Sequence, residues 1–176
     1  AMPLGQVAAE LRQAWGDGWQ QAFATFAFTP IAAASIGQVH EARLRDGRHL
    51  AIKVQYPGIS RSIDSDVDNV ASLLRMSGLV PENMDLDALL DEAKKQLHGE
   101  ADYTTESAHL NRFAALLGDD PRYRVPKVHA DYTCRSVLSM DFVQGVPIEK
   151  VGEHPRKVRE RVATDLLELA FRELFE

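Results

Sequence analysis

The sequence predicts an α+β fold, a small antiparallel sheet with helices inserted between its hairpins. Three observations point there. Residues 38–44 and 50–55 alternate apolar and polar side chains on either side of Asp46-Gly47, a two-residue hairpin signal. From Ser60 to Gly118 the apolar spacing lengthens to that of helices. After Pro121 the chain returns to short β-rich runs before a last helical stretch, Pro155 to Phe175. Strand pairs separated by blocks of helix argue for antiparallel hairpins rather than a parallel doubly wound sheet.

Composition sets the outer limits. At 176 residues the chain is one domain, or one large and one partial domain, and can bury a substantial core. A hydrophobic content of 45% with 26% charged residues is ordinary for a globular protein. Twenty Lys and Arg against 26 Asp and Glu give a net charge of −6, which excludes a general nucleic-acid binder with its basic stripe. The single cysteine, Cys134, cannot form an internal disulfide and fits a reducing, cytoplasmic setting. No run reaches the roughly 18 apolar residues of a membrane span, and no signal peptide opens the chain. His40, His49, His98, His109, His129 and His154 show no metal-ligand spacing, so no metal site is expected within this chain.

The elements follow in order. Leu4, Val7, Ala8, Leu11 and Trp15 line one face of a short helix that ends at Gly16-Asp17-Gly18. Gln20 to Phe28 is aromatic-rich and reads as a helical turn running into a strand. Ala32 to Gly37 is read as a loop. A helix starting at Ala32 is favoured by propensity but would stop almost at once at Gly37, whereas small side chains let backbone N–H groups approach a phosphate. Val39, Ala42 and Leu44 alternate imperfectly, and a type I′ turn at Asp46-Gly47 leads to the return strand, Leu50 to Gln55.

Beyond it, Ile63, Val67, Val70 with Ala71, and Leu74 form a helical stripe capped by Ser60 or Ser62, and Pro81 breaks the chain. A second helix opens at Asp85, with Leu86, Leu89, Leu90, Ala93 and Leu97 inside and a joint at Gly99. Tyr103, Glu106, Leu110, Phe113 and Leu117 continue the helical spacing to Gly118. Two strands, RVPKVHADY and SVLSMDFV, precede the last helix, which stops in mid-pattern and suggests a fragment.

Within this frame Lys53 carries the chemistry. Period two places Leu50, Ile52 and Val54 on one strand face and Ala51, Lys53 and Gln55 on the other. A strand lysine is by default solvated. Here the small Ala51 leaves room for a flat ligand, with the ammonium meeting an anion beyond it. Such a lysine needs a carboxylate to hold it. Glu106, on the apolar stripe of its helix, is the candidate, and Glu100 and Asp102 lie one turn or more earlier. Acidic residues near a helix start are also favoured by the macrodipole, so both readings of these carboxylates stand.

The order of strand, small-residue loop, strand, DG turn, AIK strand, helix glutamate, strands and connector matches a protein-kinase-like N-terminal lobe. More specifically, PIAAASIGQVHEARLRDGRHLAIKVQYPGI, EADYTTE and FVQGVPI resemble the UbiB-type atypical kinase-like family, from about Phe23 to Gly145. The resemblance implies an alanine-rich nucleotide loop over Ala32, Ala33, Ala34, Ser35, Ile36 and Gly37, with Val39 and Ala51 against the base. Lys53 would meet the phosphates, Glu106 would hold it, and Glu100 and Asp102 match the family's E-x-D pair. Met140 would be the gatekeeper, and Asp141, Phe142 and Val143 the hinge for adenine. The implied ligand is ATP or ADP with Mg2+, whose ligands would lie outside this chain.

On this resemblance residues 1–22 form a helical extension, 23–147 the lobe with an insertion at about 60–99, and 148–176 the first helix of a second lobe. The family's K-x-G-Q motif is absent, because Pro3 stands where Leu4-Gly5-Gln6 would need a lysine before it. The catalytic aspartate, the asparagine and the metal-binding aspartate would all follow Glu176, so the chain alone is expected to be inactive. The full-length protein is then an ATP-dependent phosphotransferase or ATPase supporting ubiquinone or other isoprenoid-lipid metabolism, at a membrane or lipid surface if an anchor lies outside this chain. The competing reading is a non-catalytic scaffold that binds a lipid or a protein partner. An apolar cleft wall, uncovered without its second lobe, would favour a dimer.

Overall fold

In the computed structural model, which describes residues 2–77 and 85–175, five strands form one antiparallel sheet. Helix α1 (Leu4–Trp15) leads through a 3₁₀ turn (Trp19–Ala22) into β1 (Phe23–Phe26), followed by β2 (Ala32–Ala34), β3 (Gly37–Leu44) and β4 (His49–Gln55). Helices α2 (Ile59–Ser77), α3 (Leu86–Glu100) and α4 (Tyr103–Leu117) come next, then β5 (Val137–Asp141) and α5 (Arg156–Phe175). The spatial order is β1-β3-β4-β5, with β2 also on β3. The fold is thus α+β, and its sheet is built around the β3–β4 hairpin, paired from Arg43↔His49 to Gly37↔Gln55.

One face of that hairpin makes the core. Leu50, Ile52 and Val54 are fully buried with Val7 and Leu11 of α1, Phe23, Leu44 and Val137. Each such side chain contributes about 1.5–3 kcal/mol relative to its exposed state. Trp15, Trp19, Phe23 and Phe26 close the core edge-on and stacked, with centroids 5.3–5.8 Å apart. The imperfect alternation of β3 has a physical cause: its core face carries Gln38 and His40 as well as Ala42 and Leu44. These polar groups are paired in series. Gln38 Oε1 accepts from the Met2 amide at 2.8 Å, Gln38 Nε2 lies 3.0 Å from His40 Nε2, and His40 Nδ1 lies 2.8 Å from the Ala27 carbonyl. The carbonyl requires the proton on Nδ1 and the Gln38 amide N–H requires a lone pair on Nε2, so the imidazole is neutral, and burial lowers its pKa.

Several expectations are corrected. Ala32–Ala34 is a strand, paired with Gly37–Val39, and only Ser35 and Ile36 form the turn between them. The alanines gain a ladder on β3, which a free loop would forgo. The Asp46-Gly47 turn is not type I′: of the two residues only Gly47 has positive φ, at 96°, and among the described residues no non-glycine residue does. The Gly47 amide instead donates to Leu44 O, giving a three-residue loop whose last position is the glycine. Ser60 and Ser62 lie inside α2, where Ser62 Oγ donates back to Ile59 O, so neither is the cap.

The helical joint begins two residues after Gly99, at Ala101-Asp102, where the Asp102 side chain accepts from the Thr104 amide and caps α4. Val70, Leu89 and Leu97 are exposed rather than inside, since α2 and α3 pack mainly on each other. RVPKVHADY forms no strand. It contributes one bridge, Val128↔Met140, and a 3₁₀ turn, Ala130–Tyr132. The break assigned to Pro81 lies outside the described residues.

Gly37 is fixed by close approach. A Cβ there would stand 2.3 Å from the Val54 carbonyl oxygen and 2.9 Å from the Tyr103 hydroxyl. Gly37→Ala is therefore expected to cost roughly 1–3 kcal/mol or to push β2 off β3, measured as a lower Tm and faster amide exchange at Val39. At the other end, Arg122 bonds Asp120 at 2.8 Å and Glu168 of α5 at 2.6 Å, and Tyr123 Oη donates to the Asp165 carbonyl at 2.7 Å. Side-chain and then backbone hydrogen bonds from Arg122 hold the Asp120 carboxyl down at about 2, below its ordinary 3.8. A depressed carboxylate stabilises above its unfolded pKa and loses that contribution as pH falls through the folded value. Protection of the α5 amides, relative to their intrinsic exchange rates, should accordingly fall between about pH 4 and pH 2 and be flat above. Asp120→Asn should reduce that acid step, leaving the part that Glu168, its pKa also lowered by its bonds to Arg122, contributes.

Candidate functional site

The face of β4 opposite the core presents Ala51 and Lys53, and α4 lies across it. Lys53 Nζ donates to both oxygens of Glu106, at 2.9 Å and 2.7 Å. Local sequence explains why the glutamate is there. Asp102 caps α4 through the Thr104 amide at 2.9 Å and hydroxyl at 2.6 Å, and this starts the helix at Tyr103. Glu106 falls in the first turn, where the helix dipole favours a carboxylate. The Tyr103 amide donates to Arg135 O at 3.0 Å, and Gln55 Nε2 donates to Ala101 O at 2.7 Å. These bonds fasten the α3–α4 joint to the strands beside Lys53.

The ammonium has a second partner. It sits 4.8 Å from the centroid of the Tyr103 ring, a cation–π contact in a partly desolvated place. Tyr103 is fully buried; burial first, then the nearby Glu106 charge, pushes its hydroxyl pKa up. With 17% of its side chain exposed, Lys53 opens onto a cavity of about 530 Å³. Ser35, Ile36, Glu100, Glu106 and His109 share that cavity. The site is thus a fixed ammonium, balanced by one carboxylate, under a small-residue hairpin. It can hold an anion between the lysine and the turn.

The other predicted residues distribute as follows. Ala32, Ala33 and Ala34 run along β2, with Ser35 and Ile36 at its tip and Gly37 and Val39 on the facing strand. Val39 pairs with Lys53, and Ala51 pairs with Met140, so these four side chains share one side of the sheet. Glu100 and Asp102 part company: Glu100 lines the Lys53 cavity, while Asp102 caps α4 and lies 3.7 Å from Arg135. Asp141 and Phe142 turn their side chains to other work. Asp141 Oδ1 pairs with His129 Nε2 at 2.7 Å, and Phe142 stacks on His49 at 4.3 Å. Val143 follows the end of β5 and is exposed.

Two participants escaped the sequence. Tyr103 showed there only as a member of an apolar stripe, although an aromatic residue directly after a capping aspartate, facing a lysine strand, was the available signal. The second is the Arg48 clasp, in which the guanidinium bonds Asp46, Asp131 and His129 at 2.8–3.2 Å and thereby backs Asp141. Nothing in a one-dimensional pattern brings Arg48 to residues 129–131. Among the described residues no three His, Cys, Asp or Glu side chains gather as a metal site.

With this geometry in place, comparison with known proteins is decisive. The ABC1 atypical kinase-like domain matches residues 1–176. The chain belongs to the ABC1 atypical kinase-like family. It is 41% identical over 174 residues to the atypical kinase coq-8, mitochondrial, of Caenorhabditis elegans, covering 99% of this chain and 23% of that protein. It is 36% identical over 173 residues to the atypical kinase COQ8, mitochondrial, of Saccharomyces cerevisiae, covering 98% and 34%. Among solved structures, Rv3197 of Mycobacterium tuberculosis in complex with erythromycin is similar, with a TM-score of 0.74 and 33% identity over 87% of this chain and 39% of that one. The chain thus spans about a quarter to a third of these curated relatives, and it has the fold of a kinase-like N-terminal lobe. Among the described residues no helix of this ABC1-family chain is long and apolar enough to cross a membrane.

The ion pair gives a direct test. Glu106→Ala leaves a largely buried ammonium with only the Tyr103 ring, and should cost about 1–2 kcal/mol after allowance for the half-exposed carboxylate. Adding Lys53→Met should recover part of that loss, a coupling readable in a double-mutant cycle of urea unfolding.

Proposed function

We propose that this chain is the nucleotide-binding lobe of a UbiB-like atypical kinase or ATPase, which takes ATP or ADP with magnesium in the full-length protein. The observation that carries this reading is the two-pronged Lys53–Glu106 pair beneath the β2–β3 turn. In such a site the carboxylate holds the ammonium where it meets phosphate oxygens, and the positive charge disperses negative charge that grows during transfer. Val39, Ala51 and Met140 supply an apolar wall for a flat base. The backbone of Asp141 to Val143 supplies the hinge contacts, the side chains of Asp141 and Phe142 being engaged by His129 and His49.

Ala32 to Gly37 form the phosphate cover, and Glu100 faces the same space from α3. Magnesium would neutralise the phosphates, and its carboxylate ligands are assigned to the part of the full-length protein outside this chain. The division into an extension (1–22), a lobe (23–147) and the start of a second lobe (148–176) belongs to this reading. So does a role in ubiquinone or related isoprenoid-lipid metabolism.

The test is nucleotide binding by the full-length protein. MgATP or MgADP should bind measurably by calorimetry. Lys53→Ala and Glu106→Ala should each weaken binding at least about tenfold, the scale of one charge-assisted hydrogen bond. Unchanged affinity in both variants would overturn the site assignment. Binding without any turnover would favour a scaffold over an enzyme.

A further inference from the structure

Tyr103 is the one component of this site whose chemistry is left incomplete. Its side chain is fully buried, yet the hydroxyl has no hydrogen-bond partner. Buried hydroxyls are nearly always satisfied, because an unpaired one forfeits its hydration without return. The two ends of this side chain touch different parts of the site. The ring lies under the Lys53 ammonium at 4.8 Å. The oxygen lies under the turn of the β2–β3 hairpin, 2.9 Å from where a Gly37 Cβ would stand. The turn itself is held to the next segment by one backbone bond, Tyr56 N to Ile36 O at 2.9 Å.

We propose that Tyr103 is a positioning residue for the phosphate end of the site, a donor kept unpaired beneath Gly37 that becomes satisfied when a bound nucleotide draws the Ser35–Ile36 turn down. The inference rests on the nucleotide reading above. The side chain acts at both ends. Its ring confines the ammonium that Glu106 holds, and its hydroxyl ties the turn to α4 only in the liganded state. The free protein is correspondingly less stable than it would be without the hydroxyl, and nucleotide binding recovers the difference.

The distinguishing variant is Tyr103→Phe, which keeps the ring, its packing and its contact with Lys53. In the full-length protein, a scanning-fluorimetry Tm equal to or above wild type is expected, because an unpaired buried group has been removed. MgADP affinity, measured by calorimetry, should fall about three- to tenfold, the scale of one net hydrogen bond. The ligand-induced rise in Tm should shrink in parallel. A purely structural tyrosine would leave affinity unchanged at any Tm, and that result overturns the proposal. A lowered Tm would also overturn it, since it would mean that the hydroxyl is already paired without nucleotide. If wild type binds no MgADP while folding normally, the nucleotide reading itself fails, which is separable from failure of Tyr103→Phe alone.

Discussion

The pairing register of β3 with β4 governs everything that follows in this molecule. With Val39 opposite Lys53 and Ile52 opposite His40, the sheet sends Leu50, Ile52 and Val54 to the core and the lysine to the other side. A slip of one residue would exchange the two faces, burying an ammonium among Val7, Leu11 and Val137. The register is protected twice. At one end Gly47 closes a three-residue loop, and at the other Gly37 passes so close to the Val54 carbonyl that no other side chain fits. Glu106 then meets Lys53 because Asp102 starts α4 at one residue and not its neighbour.

The interior is divided by chemistry. One side of the sheet is largely apolar, broken by Ser139, whose hydroxyl donates to the Tyr132 carbonyl, and by the Gln38–His40 series, bonded to the Met2 amide and the Ala27 carbonyl. Replacing either partner alone would strand the other in a nonpolar place, which costs more than the pair contributes. The opposite side gathers Tyr103, Leu138 and Val128 beneath a charged pair. A charge tolerated there depends on having its counter-charge and an aromatic face within reach.

Much of this was legible from sequence because it is local. The AIK strand, the helix glutamate and the DG reversal each declare themselves within a few residues, and the resemblance placed them in one lobe. What was misread depends on partners far along the chain. The alanines of β2 form a strand only because Gly37–Val39 lies alongside. The 125–132 run has strand-like composition, but β5 takes from it only a few bonds, such as His129 N to Ser139 O and Asp141 N to Lys127 O. Ser60 and Ser62 looked like caps by residue type, yet the backbone had turned helical before them at Ile59. The role of Tyr103 requires knowing that α4 crosses β4, which no periodicity records.

Residues 118–136 carry no strand and are fastened at two places by arginine. Arg48 grips Asp131 and His129 near the sheet, while Arg122 grips Asp120 and Glu168 near α5. Both guanidinium groups remain about one-third exposed, at 32% and 27%. Ionic strength therefore reaches these clasps while leaving the apolar sheet core nearly untouched. Two kinds of attachment with different solvent sensitivities thus act on this segment: apolar packing of Val128, Tyr132 and Cys134 against the sheet, and the salt-sensitive clasps at Arg48 and Arg122. Raising salt would weaken the clasps while the apolar contacts stay in place, a separation of the two kinds of attachment that heat, acting on both at once, could not produce.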